Sequence, residues 1–237
     1  ALERQVRTLS LQEKQMKDTE KKDICRLYGE LLYTWGYSIP AGEKQAELDN
    51  YHDGTRITVP LDPQLSAASN AEKYYARYTK LKRTAEALHV RMNETRTALS
   101  YLETVLQSLE SASDEGDLSQ IRQELIDSGY IRKTKQNQKK RIPSGEPLHF
   151  RSSDGFEIWV GKNNYQNEDV SFRIASGEDW WFHAKKIPGS HVILKSAGRE
   201  VPDRAFEEAA PLAAYYSKGK LAPNVEIAYT LRTNLRK

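Results

Sequence analysis

The stretch Tyr74-Tyr-Ala-Arg-Tyr78-Thr-Lys-Leu81-Lys-Arg-Thr-Ala85-Glu-Ala-Leu88-His-Val-Arg-Met92-Asn-Glu-Thr95, continued by Leu99, Leu102, Leu106 and Leu109, decides the architecture of this chain. Its core-type positions alternate steps of four and three residues, with one polar break at Thr95. A stripe repeating every 3.5 residues is the seam of a coiled coil. At about 1.5 Å per residue a helix over 70–110 is on the order of 60 Å long. So narrow a stripe is marginal in isolation and must be buried against a partner. Upstream, Leu2, Val6, Leu9, Met16, Ile24, Leu27 and Leu31 fall near helical spacing and predict one helix over 1–35, ending at Trp35-Gly36. Between the two, Glu47–Tyr51 and Arg56–Val59 flank His52-Asp-Gly-Thr55, a hairpin signal, and Pro60 and Pro63 close the segment. The expectation is an antiparallel coiled-coil hairpin with a small β-containing cap over 36–69. A parallel homodimer through the same seam is the alternative, and the position of the cap favours the fold-back.

Downstream the character changes. Ser111–Gly116 reads as a loop, and Asp117 as the cap of a short helix over 118–128 that ends at Gly129. Strands are expected at Phe156–Val160, Val170–Ile174, Trp180–His183, His191–Leu194 and Val225–Tyr229. A helix over 203–218 should turn Phe206, Ala209, Ala210, Leu212, Ala213 and Tyr216 inward, with a kink at Pro211. The fold class is α+β: an arm over 1–131, a basic linker over 132–147, and a small α+β domain over 148–237.

Hydrophobic residues make up 38% and charged residues 29% of the 237, too polar for one compact globule of that length. With 13 Tyr and 4 Trp the chain is nevertheless too aromatic to be disordered. No apolar run reaches the roughly 18 residues of a membrane span, and no signal-peptide pattern opens the chain. The opening helix without an initiator Met suggests a fragment of a longer protein. A single cysteine, Cys25, points to a reducing cytoplasm and reads as a packing residue beside Ile24 and Leu27.

Charge is uneven. Residues 1–131 hold 17 Lys and Arg against 21 Asp and Glu, whereas 132–141 hold six cations and no acid. These six, Arg132, Lys133, Lys135, Lys139, Lys140 and Arg141, form a candidate phosphate-contacting run, the solvated linker being the plain alternative. In Trp180-Trp-Phe-His183 strand alternation puts Trp180 and Phe182 on one face, Trp181 and His183 on the other. An indole and an imidazole beside Lys185 and Lys186 suit stacking on unpaired bases, unless a helix covers that face. Lys162, Asn163, Asn164, Ser190 and His191 complete the candidate nucleic-acid site, since the Asn-Asn and Pro188-Gly-Ser190 turns can aim backbone N–H groups at a phosphate. Gly189 is there for positive φ or for a close backbone approach. Asp179, His183 and His191 could form a zinc site, but their spacing matches no metal motif. A triad of Asp179, a histidine and Ser190 lacks a nucleophile elbow. Neither a Walker loop nor a dinucleotide fingerprint is present. The expectation is a binding module, not an enzyme, with no cofactor.

Gly161-Lys-Asn-Asn-Tyr-Gln-Asn167, Asp179-Trp-Trp-Phe-His183 and Pro188-Gly-Ser-His-Val192 resemble the signature of the NFACT-R domain. Glu207-Glu-Ala-Ala210, Leu212-Ala-Ala214, Tyr216-Ser217 and Val225 fit the same pattern. Tyr28-Gly-Glu-Leu-Leu32, Leu61-Asp-Pro63, Asn70-Ala71, Tyr78, Lys80-Leu-Lys82 and Gly129-Tyr130 resemble the coiled-coil middle region of the NFACT family. That resemblance implies a ribosome quality control factor bound to large subunits that carry stalled nascent chains. It implies contacts with rRNA and tRNA, and recruitment of alanyl tRNA for C-terminal tailing. Members have also been called fibronectin-binding proteins, so a surface-displayed fibronectin- or fibrinogen-binding adhesin is the second expectation. The family's N-terminal tRNA-recognising domain has no counterpart in this sequence, and the family's arginine before the Asn-Asn pair is Lys162. Lysine keeps the charge but loses bidentate geometry.

Overall fold

The structure, a computed structural model, describes residues 1–132 and 145–236. It divides into two compact units, Glu3–Thr97 and Ala98–Lys237 with Ala1–Leu2. The fold class is α+β, as the sequence predicts.

In the first unit, α1 (Leu2–Thr19) and α2 (Lys22–Trp35) replace the single expected helix. The break at Glu20–Lys21 has a local cause. Residues 17–23 offer no apolar side chain to the core, and the Thr19 hydroxyl turns back onto the Met16 carbonyl at 2.6 Å, competing for the helix's own acceptor. The buried stripe differs in part: Leu31 is buried as expected, Val6 and Ile24 are exposed, and Cys25 and Leu32 are buried. β1 (Gln45–Asp49) and β2 (Arg56–Pro60) pair antiparallel with Asp49 opposite Arg56. The turn between them uses Gly54 at φ +72°, and Asp53 Oδ1 accepts from both the Thr55 N–H and hydroxyl. Alternation buries Leu48 and Val59 against Leu31, Leu32 and Ala71. Ala71 belongs to α3 (Ala67–Ser111), the long helix. Glu13 pairs with Arg96, and Tyr28 meets Tyr74 edge-on at 5.2 Å, so α1 and α2 run antiparallel to the first part of α3. The fold-back is the arrangement within this unit. Gly29 is needed for close approach, because a Cβ there would lie 2.8 Å from the Tyr75 ring.

The stripe on α3 runs through Ala85, Leu88, Met92, Thr95 and Leu102, and then departs from the heptad. Val105 and Ser108 are buried, while Leu106 and Leu109 are 49% and 44% exposed. Beyond Ala98 the helix serves the second unit. There Tyr101 bonds Ser128 at 2.9 Å and stacks on Tyr130. New partners select a new face.

In the second unit α4 (Glu115–Asp127) is capped by Asp114, which accepts the Asp117 N–H at 2.8 Å. The cap therefore lies three residues before the expected Asp117, and Asp117 is freed for another role. Gly129 at φ +76° ends the helix as expected, with Tyr130 N–H turned back to the Leu125 carbonyl. Five antiparallel strands follow in the order β3-β4-β6-β5-β7: β3 (Leu148–Arg151), β4 (Glu157–Val160), β5 (Trp180–Ala184), β6 (Val192–Leu194) and β7 (Ile227–Leu231). The central β6 is buried on both faces, which is why Val192-Ile-Leu194 reads as an unbroken apolar run. On one face α6 (Asp203–Tyr215) buries Ala205, Ala209 and Ala213, residues small enough to bring the helix close to Ile158, Val160, Phe182 and Leu194.

The other face is covered by α5 (Asn164–Asp169) and the wide helical turn Val170–Ile174, not by a strand. Ala175 N–H reaches the Val170 carbonyl five residues back at 3.0 Å. Val170, Phe172 and Ile174 imitate a strand's alternation. The Asn163 side chain, accepting the Gln166 N–H, commits the segment to a helix first.

Candidate nucleic-acid interface

Asp179 immediately precedes β5 and is fully buried. Its carboxylate takes the Lys195 ammonium at 2.7 Å and the backbone N–H groups of Ser176 and Ser196 at 2.7 and 2.9 Å. Burial pushes this carboxyl up, but those donors outweigh it and hold it below its ordinary range. Asp179 is thus a pin joining three segments. With its oxygens so occupied, it neither orients a histidine nor offers itself to a metal. Ser190 is buried, with its N–H on the Tyr216 carbonyl at 2.9 Å, and since the Asp179 carboxylate is bonded to Lys195 and backbone N–H groups and not to a histidine, the candidate triad lacks its Asp–His link.

Strand alternation places Trp180 and Phe182 toward α6, with Trp181 and His183 on the opposite face. That face is only partly open. Trp181 packs against Val170, Ala175 and Ile193. It lies parallel to the His183 ring at 5.6 Å and edge-on to His191 at 5.1 Å. Its indole N–H is buried with no hydrogen-bond partner among the described residues. His183 and His191 meet edge to face at 5.4 Å, and His191 Nδ1 lies 2.8 Å from the buried Ser171 hydroxyl. Asn167 Oδ1 accepts the His191 N–H at 2.9 Å, tying α5 to the sheet.

The Lys162–Gln166 segment turns away from solvent and onto α4. Lys162 is 4% exposed, and its ammonium lies 2.6 Å from Asp117 and 3.1 Å from the Ser113 hydroxyl. Asn163 Nδ2 donates to Gln120 at 2.8 Å, Asn164 Nδ2 to Glu124 at 2.6 Å, and the Tyr165 hydroxyl to Asp127 at 2.6 Å. That last bond pushes the Tyr165 hydroxyl up to about 12. Gln166 Nε2 donates to both Asp117 and Gln120. The acceptors recur every three or four residues, on one face of α4. Lys162 and Asn163, expected to face phosphate, hold α4 to the sheet domain instead, and the Nδ2 group of Asn164 joins them.

The basic groups that do face outward are fewer. Lys185 is exposed and paired with Glu226 at 2.6 Å. Lys186 is exposed at φ +59°, in the left-handed conformation. Gly189 serves close approach, since a Cβ there would lie 2.9 Å from that of Ser217. Lys218, absent from the expected site, pairs with Glu103 of α3 at 2.8 Å, and its N–H donates to the Pro188 carbonyl. Arg132 is exposed. Lys133, Lys135, Lys139, Lys140 and Arg141 lie outside the described residues. The α4 contacts had a sequence signal: Asn163-x-x-Gln166 and Asp114-x-x-Asp117 both read as helix starts. Glu103 and Lys218 had none, because 115 residues separate them.

Burial pushes His183 below its ordinary value, and burial together with the neighbouring His183 pushes His191 down to about 4. An unfolded histidine titrates near 6.5, so between about pH 6.5 and 4 the unfolded chain binds the additional proton. The stability contributed by neutral His191 is present above that window and is lost as pH falls through it, on the order of 1 kcal/mol per pH unit. Asp117 and Asp179 are both held below the ordinary carboxylate range, so their contributions fade only at lower pH. Urea midpoints should therefore drop between about pH 6.5 and 4.5, and drop less in His191→Gln. Parallel pH profiles for the two proteins would show that His191 is not the group responsible.

Residues 1–143 match the NFACT N-terminal and middle domains, and residues 146–237 match the NFACT protein RNA binding domain. The chain is 38% identical over 229 residues to "Rqc2 homolog RqcH" of Bacillus subtilis (strain 168), covering 95% of this chain and 40% of that protein. It is 39% identical over 221 residues to the protein of the same name from Streptococcus pneumoniae serotype 2, covering 92% and 39%. The chain thus spans about 40% of the length of these curated relatives. Coiled-coil domain-containing protein 25 of Bos taurus shares 33% over 91 residues, 36% of this chain and 43% of its own length. The solved C-terminal part of the fibronectin/fibrinogen-binding protein from Streptococcus suis matches with a TM-score of 0.75 at 31% identity, over 100% of this chain and 80% of that one. With both of its parts matched and the likeness extending along nearly all of its sequence, the chain belongs to the NFACT family.

Proposed function

We propose that the chain is the ribosome- and tRNA-associated module of a ribosome quality control factor. It binds large subunits that carry stalled nascent chains and supports C-terminal alanine tailing there. The observation that carries this reading is the match of residues 146–237 to an RNA binding domain, joined along one chain to a middle region like that of the RqcH proteins. The module works by binding. Its buried carboxylate Asp179 is committed to Lys195 and two backbone N–H groups, which fits a structural role better than a catalytic one.

The run 132–141 supplies the sequence-independent part of the affinity through counterion release. Replacing Lys139, Lys140 and Arg141 together with Ala should weaken binding to purified large subunits and flatten the log–log salt slope by about 2 to 3. Binding that ignores both salt and this substitution would rule out the electrostatic contribution. Co-migration of the full-length protein with obstructed large subunits on a sucrose gradient tests the assignment as a whole.

A second reading, a fibronectin- or fibrinogen-binding adhesin, is favoured by the likeness to the Streptococcus suis protein. It requires saturable solid-phase binding to fibronectin and protein on the surface of intact cells. Absence of either leaves the ribosomal reading alone.

A further inference from the structure

A cleft of about 400 Å³ opens beside the Ile187-Pro-Gly189 turn of the sheet domain, lined by His183, Lys186, His191, Asn164, Asn167 and, from α3, Glu103. Its volume lies in the range of small-ligand sites. Its lining is mixed in polarity, which suits a flat heteroaromatic ring with polar edges better than an apolar side chain.

Two imidazoles form one wall. Trp181 covers one face of the His183 ring, so the ring offers the cleft its other face and its edge. His191 is fixed by Ser171 at Nδ1, which leaves Nε2. With Nδ1 taken, the neutral ring keeps one nitrogen, a single donor or acceptor toward the edge of a nucleobase, and the His183 ring adds a face for stacking. Burial keeps both rings in that neutral form.

Cations stand at the rim. Lys186 projects from a left-handed residue and has no ion-pair partner among the described residues. Lys218 sits across the turn, its N–H on the Pro188 carbonyl and its ammonium 2.8 Å from Glu103. That surface ion pair is worth little in water, so a phosphate can take over the ammonium.

We propose that this cleft holds one unpaired nucleotide of a bound RNA, its base against His183 and His191 and its phosphate on Lys186 and Lys218. The base must be unpaired, because a base stacked and paired within a duplex has neither its faces nor its pairing edge free to meet the two imidazoles. Glu103 acts as a competitor, holding Lys218 until a phosphate displaces it. The inference rests on the RNA-binding reading above and narrows it to one place.

The test uses the intact chain with a mixed-sequence single-stranded RNA hexamer and, in parallel, a blunt RNA duplex, followed by anisotropy and by the histidine side-chain NMR signals. Only five histidines are present, so His183 and His191 can be assigned by substitution. The hexamer should shift both signals saturably, and the duplex should leave them in place. Lys186→Asn, which tolerates positive φ, should weaken hexamer binding about five-fold or more, while Glu103→Gln should strengthen it. If the hexamer binds but neither histidine signal moves and Lys186→Asn binds as tightly, the cleft assignment is wrong and RNA binding stands elsewhere on the chain. If neither RNA binds, the RNA-binding reading falls with it. If a phosphorylated peptide moves the same signals at lower concentration than the hexamer, the cleft belongs to a protein ligand and the nucleotide assignment is overturned.

Discussion

Lys162→Met is expected to destabilise the second unit by about 3–5 kcal/mol, the penalty typical of leaving one partner of a buried ion pair without its mate. Lys162 and Asp117 are 4% and 0% exposed and 2.6 Å apart. With the ammonium gone, Asp117 keeps, among the described residues, only the Ser113 and Gln166 donors and its Asp114-capped backbone. Burial would then push its carboxyl up, so the variant should gain a proton on folding at mildly acidic pH where the parent does not. Lys162→Arg should lose far less, because the charge survives. Replacing both residues together, Lys162→Met with Asp117→Leu, should recover a large part of the loss, since a packed apolar pair replaces a buried ion pair at little cost. A loss below about 1 kcal/mol on urea unfolding of Lys162→Met would place this pair among ordinary surface ion pairs. The same variants separate positioning from contact. RNA binding measured well below the melting temperature should persist in Lys162→Arg, because the ammonium faces α4 and not solvent.

Asp179→Ala should cost a similar amount, about 3–5 kcal/mol. Its carboxylate accepts the Ser176 and Ser196 N–H groups and holds Lys195, which is itself tied to the Ile174 carbonyl at 2.8 Å. The buried Ser196 N–H, left without an acceptor, costs roughly 1–3 kcal/mol, the exposed Ser176 N–H can turn to water, and the lost ion pair adds to the cost. Asp179→Asn keeps the shape and one acceptor oxygen and should fall between the parent and Asp179→Ala. A catalytic role would give a different result: near-normal stability with loss of function. Thermal denaturation of the two variants beside binding at low temperature distinguishes these outcomes. A melting temperature within a degree or two of the parent for Asp179→Ala would remove the case for a structural pin.

Both residues show where sequence reading succeeds and where it stops. The hairpin of the first unit was legible because local signals agreed. The heptad of Tyr74–Thr95, the Asp53-Gly54 turn and the alternation of Leu48 with Val59 all point to one fold-back. The strand of Trp180–His183 and the helix carrying Ala209 and Ala213 were legible for the same reason. Val170–Ile174 was misread as a strand because period-two alternation over five residues fits both a strand and a wide helical turn. The Asn163 cap that distinguishes them lies outside the segment.

The candidate site was less legible than the fold. A sequence names the chemical groups a chain owns: the Trp-Trp-Phe-His strand, the Asn-Asn pair, the six-cation run. It also determined the α+β class and most of the order of the elements, Val170–Ile174 and α5 apart, because hydrophobic periodicity and turn chemistry act over a few residues. The tertiary structure alone decided that Lys162 and Asn163 face α4 while Lys186 faces solvent, and that Glu103 meets Lys218 across 115 positions. The physical reason is burial. Whether a charge is exposed to a ligand or bound within the fold depends on which distant element covers it, and nothing in its local sequence carries that information.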